Sequence, residues 1–203
     1  MIHAHGWEPD STVNPRFIIK IPVLAFIDEF GGLSYRFGTE FKIAGTFTGC
    51  AEGGSYFYLP QDHRKGAIAR VEFKGYRDDE KRIGEFFSLE YLFKYVSFDY
   101  ADSIAIPNTP KYEKEYRIHK EISCLTFKWG DLEVYKKRLV FEWYIGAGLR
   151  FYQKAYNNLT DEENKYMLTG EGHGDIIGDG IRLVGMHLYP NLNAGIKIGF
   201  LLK

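Results

Sequence analysis

The sequence predicts an all-β fold, an up-and-down antiparallel barrel of eight strands. Three observations predict it. Apolar and polar residues alternate with a period of two along most of the chain, which is the spacing of side chains on a strand. Residues favoured in strands are abundant, with 15 tyrosines, 16 phenylalanines and 3 tryptophans, and 22 glycines are available for turns and tight contacts. Short and long connections also take turns along the chain, so all the short ones fall at one end of the array.

Phe17 to Phe26 is an apolar run broken by Pro22 and is read as the first strand. In the second, Leu33–Phe37, the residues Leu33, Tyr35 and Phe37 alternate with Ser34, Arg36 and Gly38. A tight turn at Gly38-Thr39 leads to the third, Phe41–Gly49, where Phe41, Ile43, Gly45 and Phe47 oppose Lys42, Ala44, Thr46 and Thr48. The fourth, Ala67–Tyr76, sets Ala69, Val71 and Phe73 against Arg70, Glu72 and Lys74. The fifth, Gly84–Phe98, is the clearest: Phe87, Leu89, Tyr91, Phe93 and Tyr95 oppose Ser88, Glu90, Leu92, Lys94 and Val96. In the sixth, Glu115–Trp129, Ile118 and Ile122 alternate with Arg117, His119, Glu121 and Ser123. Ile122 and Leu125 then share a face only if a bulge lies near Cys124. The seventh, Arg138–Tyr152, turns Leu139, Phe141, Trp143, Ile145, Ala147, Leu149 and Phe151 one way. The eighth is the C-terminal stretch, with Ala194, Ile196, Ile198, Phe200 and Leu202 on one face and residues 180–190 as its outer part, interrupted at Pro190. Residues 77–83 and 130–137 are the other short connections; 50–66, 99–114 and 153–180 are the long ones. The last strand is expected to pair with the first and leave no open edge.

Composition narrows the functional classes. A length of 203 residues fits one domain, here an extension at 1–15 and a barrel at 16–203. A net charge of −1 and a pI near 6.6 lack the basic excess of nucleic-acid binders, so no nucleic acid is expected. Cys50 and Cys124 make neither a disulfide framework nor a metal set and are expected to be free thiols. No window of about 18 apolar residues marks a transmembrane helix. The opening "MIHAHGWEPDSTVNP" lacks the apolar core of a signal peptide. The chain is then either cytosolic or a mature form whose leader has been removed.

Alternation alone does not say which face is buried in what. A soluble barrel turns its apolar face inward, and a barrel in lipid turns it outward. Three features favour lipid. Several strands exceed the usual length of about 5 to 6 residues. Large aromatics stand near strand ends, as Phe87 and Tyr95, Phe141 or Trp143 and Phe151, and Phe41 and Phe47 do. Finally, so many rings would overfill a small interior. On this reading Lys42, Arg70, Glu72, Lys74, Glu90, Lys94, Arg117, Glu121, Glu142, Arg150 and Lys197 line the lumen. They are expected to pair across strands and leave no conducting path.

The segment Asn193, Gly195, Ile198 and Phe200 resembles the C-terminal signal of outer-membrane barrels: a polar residue, glycine two on, then two hydrophobics spaced by one. It departs from that pattern in ending Leu-Leu-Lys rather than on an aromatic. The chain is similar to small Gram-negative outer-membrane β-barrel proteins, OmpA/OmpX-like in size, of a subgroup without assigned activity. The resemblance implies short periplasmic turns, long extracellular loops and a place in the outer membrane. It also implies contact with outer-membrane lipids and lipopolysaccharide, with the barrel-assembly machinery during biogenesis, and with a protein partner in the same membrane.

Candidate chemistry is sparse. His119, Glu121 and Ser123 share a face, but residues four apart on a strand lie beyond hydrogen-bond reach, so a polar lumen network is expected rather than a hydrolase. Glu171, His173, Asp175 and Asp179 lie in the glycine-rich "GEGHGDIIGDG" without the spacing of a calcium or zinc site. Met1-Ile2-His3 has a copper-chelating composition only if the amino terminus is free. No catalytic, cofactor-binding or metal residue is assigned, and no cofactor is expected. The expected function is a non-enzymatic outer-membrane barrel with a structural, adhesive or accessory-subunit role. Its alternatives are a soluble or periplasmic barrel holding a small apolar ligand and, third, a lipid-modifying outer-membrane enzyme.

Overall fold

Strand-length alternation closes into a ring because the first and last segments offer matching edges. The computed structural model describes residues 17–23, 27–28, 32–57, 63–77, 83–166 and 185–202. Its strands are β1 (Phe17–Pro22), β2 (Ile27–Asp28), β3 (Gly32–Ala44), β4 (Phe47–Tyr56) and β5 (Lys65–Tyr76). They continue as β6 (Gly84–Ile104), β7 (Tyr112–Tyr135), β8 (Leu139–Asn157) and β9 (Gly185–Leu202), with a short helix α1 (Asp161–Lys165) between the last two. Each long strand pairs antiparallel with its chain neighbours, and β1 pairs with both β3 and β9. The two-residue β2 pairs with β3 beyond the end of β1, so the closed ring has eight strands. Phe17 faces Leu202 and Pro22 faces Lys197 across the closing seam.

The register sets the barrel's dimensions. From Lys20, the pairing passes through Gly38, Glu52, Arg70, Leu92, Cys124 and Arg150 to Tyr189 on β9. The direct partner of Lys20 on β9 is Gly199, ten positions away. Eight strands with this shear tilt at about 43° and give a backbone radius of about 8 Å. The connections after β3, β5 and β7 lie at the end that holds Phe17 and Leu202. Those after β2, β4, β6 and β8 lie at the other.

Four local expectations are corrected. Gly38-Thr39 is not a turn but the middle of β3, and the chain reverses at Gly45-Thr46, where Gly45 has φ +51°. Gly38 is a glycine for space: it faces inward, and a Cβ there would come within 3.3 Å of the Glu52 side chain. Residues 50–56 therefore belong to β4 rather than to a loop. No bulge lies near Cys124; β7 keeps continuous register with both neighbours, and the irregularity sits in β3 between Lys42 and Ala44. Pro190 does not interrupt β9 but stands opposite Leu149. Among the described residues β1 stops pairing with β9 at Lys197, so Pro190 occupies an edge, where a missing N–H is tolerated. Residues 1–15, the end of the expected first strand at 24–26 and the glycine-rich 170–180 lie outside the described residues.

β6, β7 and β8 outrun the ring. The β6–β7 ladder reaches Ile104 opposite Tyr112, and β7–β8 reaches Arg117 opposite Asn157. This projection has its own small core of Ile104, Tyr116 and Ile118, with Phe98, Tyr100, Ile106, Tyr156 and Leu159 against it. Helix α1 is held on by a capping box between Thr160 and Glu163. Glu163 also accepts hydrogen bonds from Lys114 Nζ at 2.7 Å and Tyr112 OH at 2.9 Å. Lys114 and the Thr160 N–H hold its carboxyl at about 2, down from an ordinary 4.5. A depressed carboxylate stabilises docking fully above the unfolded value and loses that contribution as the proton binds. Amide exchange over residues 160–165 should therefore accelerate as the pH falls from about 4.5 towards 2, after correction for intrinsic rates. Glu163→Gln should abolish that dependence; protection unchanged across this window would show that the carboxylate does not hold the helix.

Candidate functional site

The inward parity of every strand converges on a lumen built in layers. At the short-turn end Ile18, Tyr76, Phe86, Leu132, Val134, Val140 and Tyr144 form an apolar cluster. Further along, Tyr56, Ile68, Leu92, Val96, Ile122, Cys124 and Tyr152 form a second. Between them lies a network of alternating charge, every member at most 9% exposed.

Five carboxylates and six cations make up that network. Glu40 accepts from Thr48 Oγ1 at 3.0 Å and Tyr76 OH at 2.6 Å, and it pairs with Lys20 and with Lys74 at 3.2 Å. Glu142 meets Lys20, Lys74 at 2.7 Å and Lys197 at 3.6 Å. Lys197 lies 3.2 Å from Glu72, which also takes a bond from Ser88 Oγ at 2.6 Å. Lys128 joins Glu72 to Glu90, and Arg70 links Glu90 at 3.1 Å to Glu52 at 3.4 Å. Arg36 completes the chain at 3.7 Å from Glu52. Glu72 and Glu90 are direct cross-strand partners, a like-charge contact that is normally unfavourable. Lys128 bridges these two carboxylates and removes that cost. Lys74 lies 4.2 Å from the centre of the Phe86 ring and Lys128 4.1 Å from that of Tyr144, so the aromatics contribute cation–π contacts as well.

Gly195 leaves the space that Tyr144 occupies: a Cβ there would meet its phenol oxygen at 2.4 Å. Asn193, one register step from it, reaches Glu90 at 3.5 Å. Asn193 and Gly195 thus face the lumen, while Ile198 and Phe200 are exposed outside. A cavity of about 10 Å³ lies inside the network, beside Lys20, Cys50, Arg70 and Lys197. It has room for about one water at most.

The structure confirms Arg70, Glu72, Lys74, Glu90, Lys94, Glu142, Arg150 and Lys197 as inward and buried. Three expected lumen residues are elsewhere. Lys42 is exposed beside the turn, and Arg117 and Glu121 project from the outer surface of β7. The parity of β7 is the reverse of that expected, because Ile118 and Ile122 are the buried residues. His119 and Ser123 go outward with Arg117. His119 Nδ1 lies 2.8 Å from Tyr95 OH, and Ser123 Oγ lies 3.2 Å from Tyr91 OH. Each thus has a tyrosine of β6 as its partner, and the two are not brought together. Cys50 and Cys124 are free thiols. Glu171, His173, Asp175, Asp179 and Met1-Ile2-His3 lie outside the described residues, among which no cluster of metal-ligating side chains occurs.

Sequence reasoning missed Lys20, Arg36, Glu40, Glu52, Lys120, Lys128 and Lys154, all buried and inward. Arg36 and Lys128 alternate with exposed aromatics and were detectable by parity. Glu40 and Glu52 were hidden by the misplaced turn. In comparisons with known proteins, no family model, no curated protein and no solved structure matches this chain.

Breaking a buried ionic network by removing one partner leaves charge uncompensated and costs about 3 to 5 kcal/mol. Glu142→Gln should lower the free energy of unfolding, read as the shift of the urea midpoint multiplied by m, by an amount in that range. Glu121→Gln, on the exposed outer surface, should change stability by less than about 0.5 kcal/mol. Equal effects of the two substitutions would contradict the assignment of inside and outside.

Proposed function

We propose that this protein is a non-conducting, non-enzymatic barrel of a bacterial outer membrane, with a structural, adhesive or accessory-subunit role carried by its long-loop end. The observation that carries the reading is an inside-out distribution of polarity. The interior holds the buried charges, and the outer wall is a belt of exposed apolar side chains. Phe37 and Phe127 are 57% exposed and Leu192 83%, and Phe41, Val71, Leu89, Ile145 and Phe200 continue the belt around the ring. Soluble monomers rarely show apolar patches beyond a few hundred Å²; a wall facing lipid requires one.

The height of the belt fits a bilayer. Phe141 to Phe151 on β8 spans ten positions, about 24 Å along the axis at the barrel's tilt, against an expected band of about 25 Å. Aromatic pairs gather at its lower edge, with Trp129 and Trp143 edge to face at 5.2 Å and Phe47 stacked on Phe73 at 5.3 Å. Tyr35, Phe57, Tyr95 and Phe151 stand towards the other edge. Below the belt the connections are short, and above it rises the projection, the arrangement of periplasmic turns and extracellular loops in outer-membrane barrels. A soluble barrel that carries an apolar ligand needs an apolar, open interior, and here the interior is filled by ion pairs.

Fractionation of the native host tests the reading, with detergent extraction and an unheated gel. The protein should appear in the outer-membrane fraction and migrate differently before and after heating. Recovery as a detergent-free soluble monomer would refute the proposal. Leu89→Arg should cost about 2 to 4 kcal/mol if that face meets the bilayer midplane. Purified protein in a planar bilayer should give no reproducible single-channel steps; steady openings would mean that the charged layer is not a plug.

A further inference from the structure

The projection carries a polar groove of about 540 Å³ on its outer flank, where β8 parts from β7. Its size lies within the usual range of ligand sites, about 300 to 1,000 Å³. One register row supplies three of its side chains: Arg117 faces Asp99 on β6 and Asn157 on β8. Glu115 stands two positions along β7. Asn158 follows Asn157 with φ +67°, a left-handed residue that turns the chain and brings a second carboxamide to the same space. Tyr116 and Tyr156 are the other lining residues, and their rings, edge to face at 5.5 Å, belong to the core of the projection.

The chemistry of this lining selects its ligand. Carboxylates accept hydrogen bonds, the guanidinium donates them, and carboxamides do both. Arg117 donates to Asp99 through Nε at 2.6 Å and through a terminal nitrogen at 2.9 Å, so those two charges offset each other within the lining. His63 Nδ1 also lies 3.0 Å from Asp99 Oδ2, and among the described lining residues the charge left over is the negative one of Glu115. The groove therefore has no cationic excess for a phosphate, and no cluster of metal-ligating side chains occurs among the described residues. Uncharged ligands rich in hydroxyls match it, because hydroxyls both donate and accept along one edge.

Position narrows the source. Asp99 lies four positions beyond Tyr95 on β6, about 10 Å along the axis above the aromatic edge of the belt. We propose that the groove binds a saccharide, namely the sugar portion of a glycolipid whose acyl chains lie against the belt. The glycolipid source rests on the membrane reading above; the saccharide chemistry of the groove does not.

Two ligands separate these claims. The full chain in detergent micelles is titrated with lipid-free core oligosaccharide from the host's surface glycolipid, and in nanodiscs with the intact glycolipid. The variants are the double substitution Glu115→Ala with Asn157→Ala, and Glu113→Ala on the same strand outside the groove. All are exposed, and the heat-dependent gel shift reports whether each barrel is folded. Free oligosaccharide should bind the parent, at least tenfold more weakly the double variant, and equally well Glu113→Ala. Absence of oligosaccharide binding, or binding undiminished in the double variant, overturns the groove. Intact glycolipid that binds parent and double variant alike, with no binding of the free sugar, also overturns the groove while upholding the membrane reading. Saccharide binding that follows the groove residues in a protein needing no detergent supports the groove and overturns the glycolipid source.

Discussion

Closure of the sheet between β1 and β9 is the constraint on which the rest of the structure depends. Once Phe17–Pro22 pairs with Lys197–Leu202, every strand has one parity inside a tube of about 8 Å backbone radius and one parity outside it. The inside has room only for side chains, so charges placed there must meet each other. The outside has no volume limit, so it takes the rings. Both the charged plug and the apolar belt follow from this single partition.

β7 shows how far one parity can be carried through different surroundings. Leu125, Phe127 and Trp129 point outward into the belt, and Thr126 and Lys128 point into the lumen. Towards the projection the backbone keeps the same alternation, yet the chemistry inverts: Ile118 and Ile122 are inside, and Arg117, His119 and Glu121 are outside. The strand has not slipped or bulged. It has left the apolar belt and entered a region whose inside is an apolar core and whose outside is polar. The apparent phase change at Cys124 is a change of environment, not of geometry.

The same distinction explains what was legible in the sequence. Period-two alternation identifies which residues share a face, and it located seven of the eight strands of the ring; β4 was read largely as a loop, because the expected third strand, Phe41–Gly49, straddles the turn at Gly45-Thr46. It does not name the face, because apolar residues lie on the exposed outer wall along the belt and in the core beyond it. Arg117 and Glu121 were therefore placed in the lumen although they lie outside. The turn was misplaced for a different reason. Gly38-Thr39 has turn composition, but Gly38 is small to admit the side chain of Glu52, its direct partner on the neighbouring β4, a demand invisible in the local sequence. The groove on the projection was equally hidden, since Asp99, Glu115, Arg117 and Asn157 come from three strands whose lengths were underestimated.

The charged layer also answers a question that the belt leaves open, namely what selects the shear of ten. A slip of one residue turns a strand's apolar face inward and is strongly disfavoured. A slip of two preserves every face, so the belt is nearly indifferent to it. The network is not. Moving β5 by two positions towards the long-loop end of β6 would set Arg70 opposite Lys94 and carry Glu72 away from Lys128 and Lys197, its present cations. Buried ion pairs add little net stability over apolar packing, yet an uncompensated buried charge is costly. Charge in the lumen therefore discriminates between registers that hydrophobicity cannot distinguish. The same packing leaves beside Lys20, Cys50, Arg70 and Lys197 a space of about 10 Å³, room for about one water and none for a larger ligand.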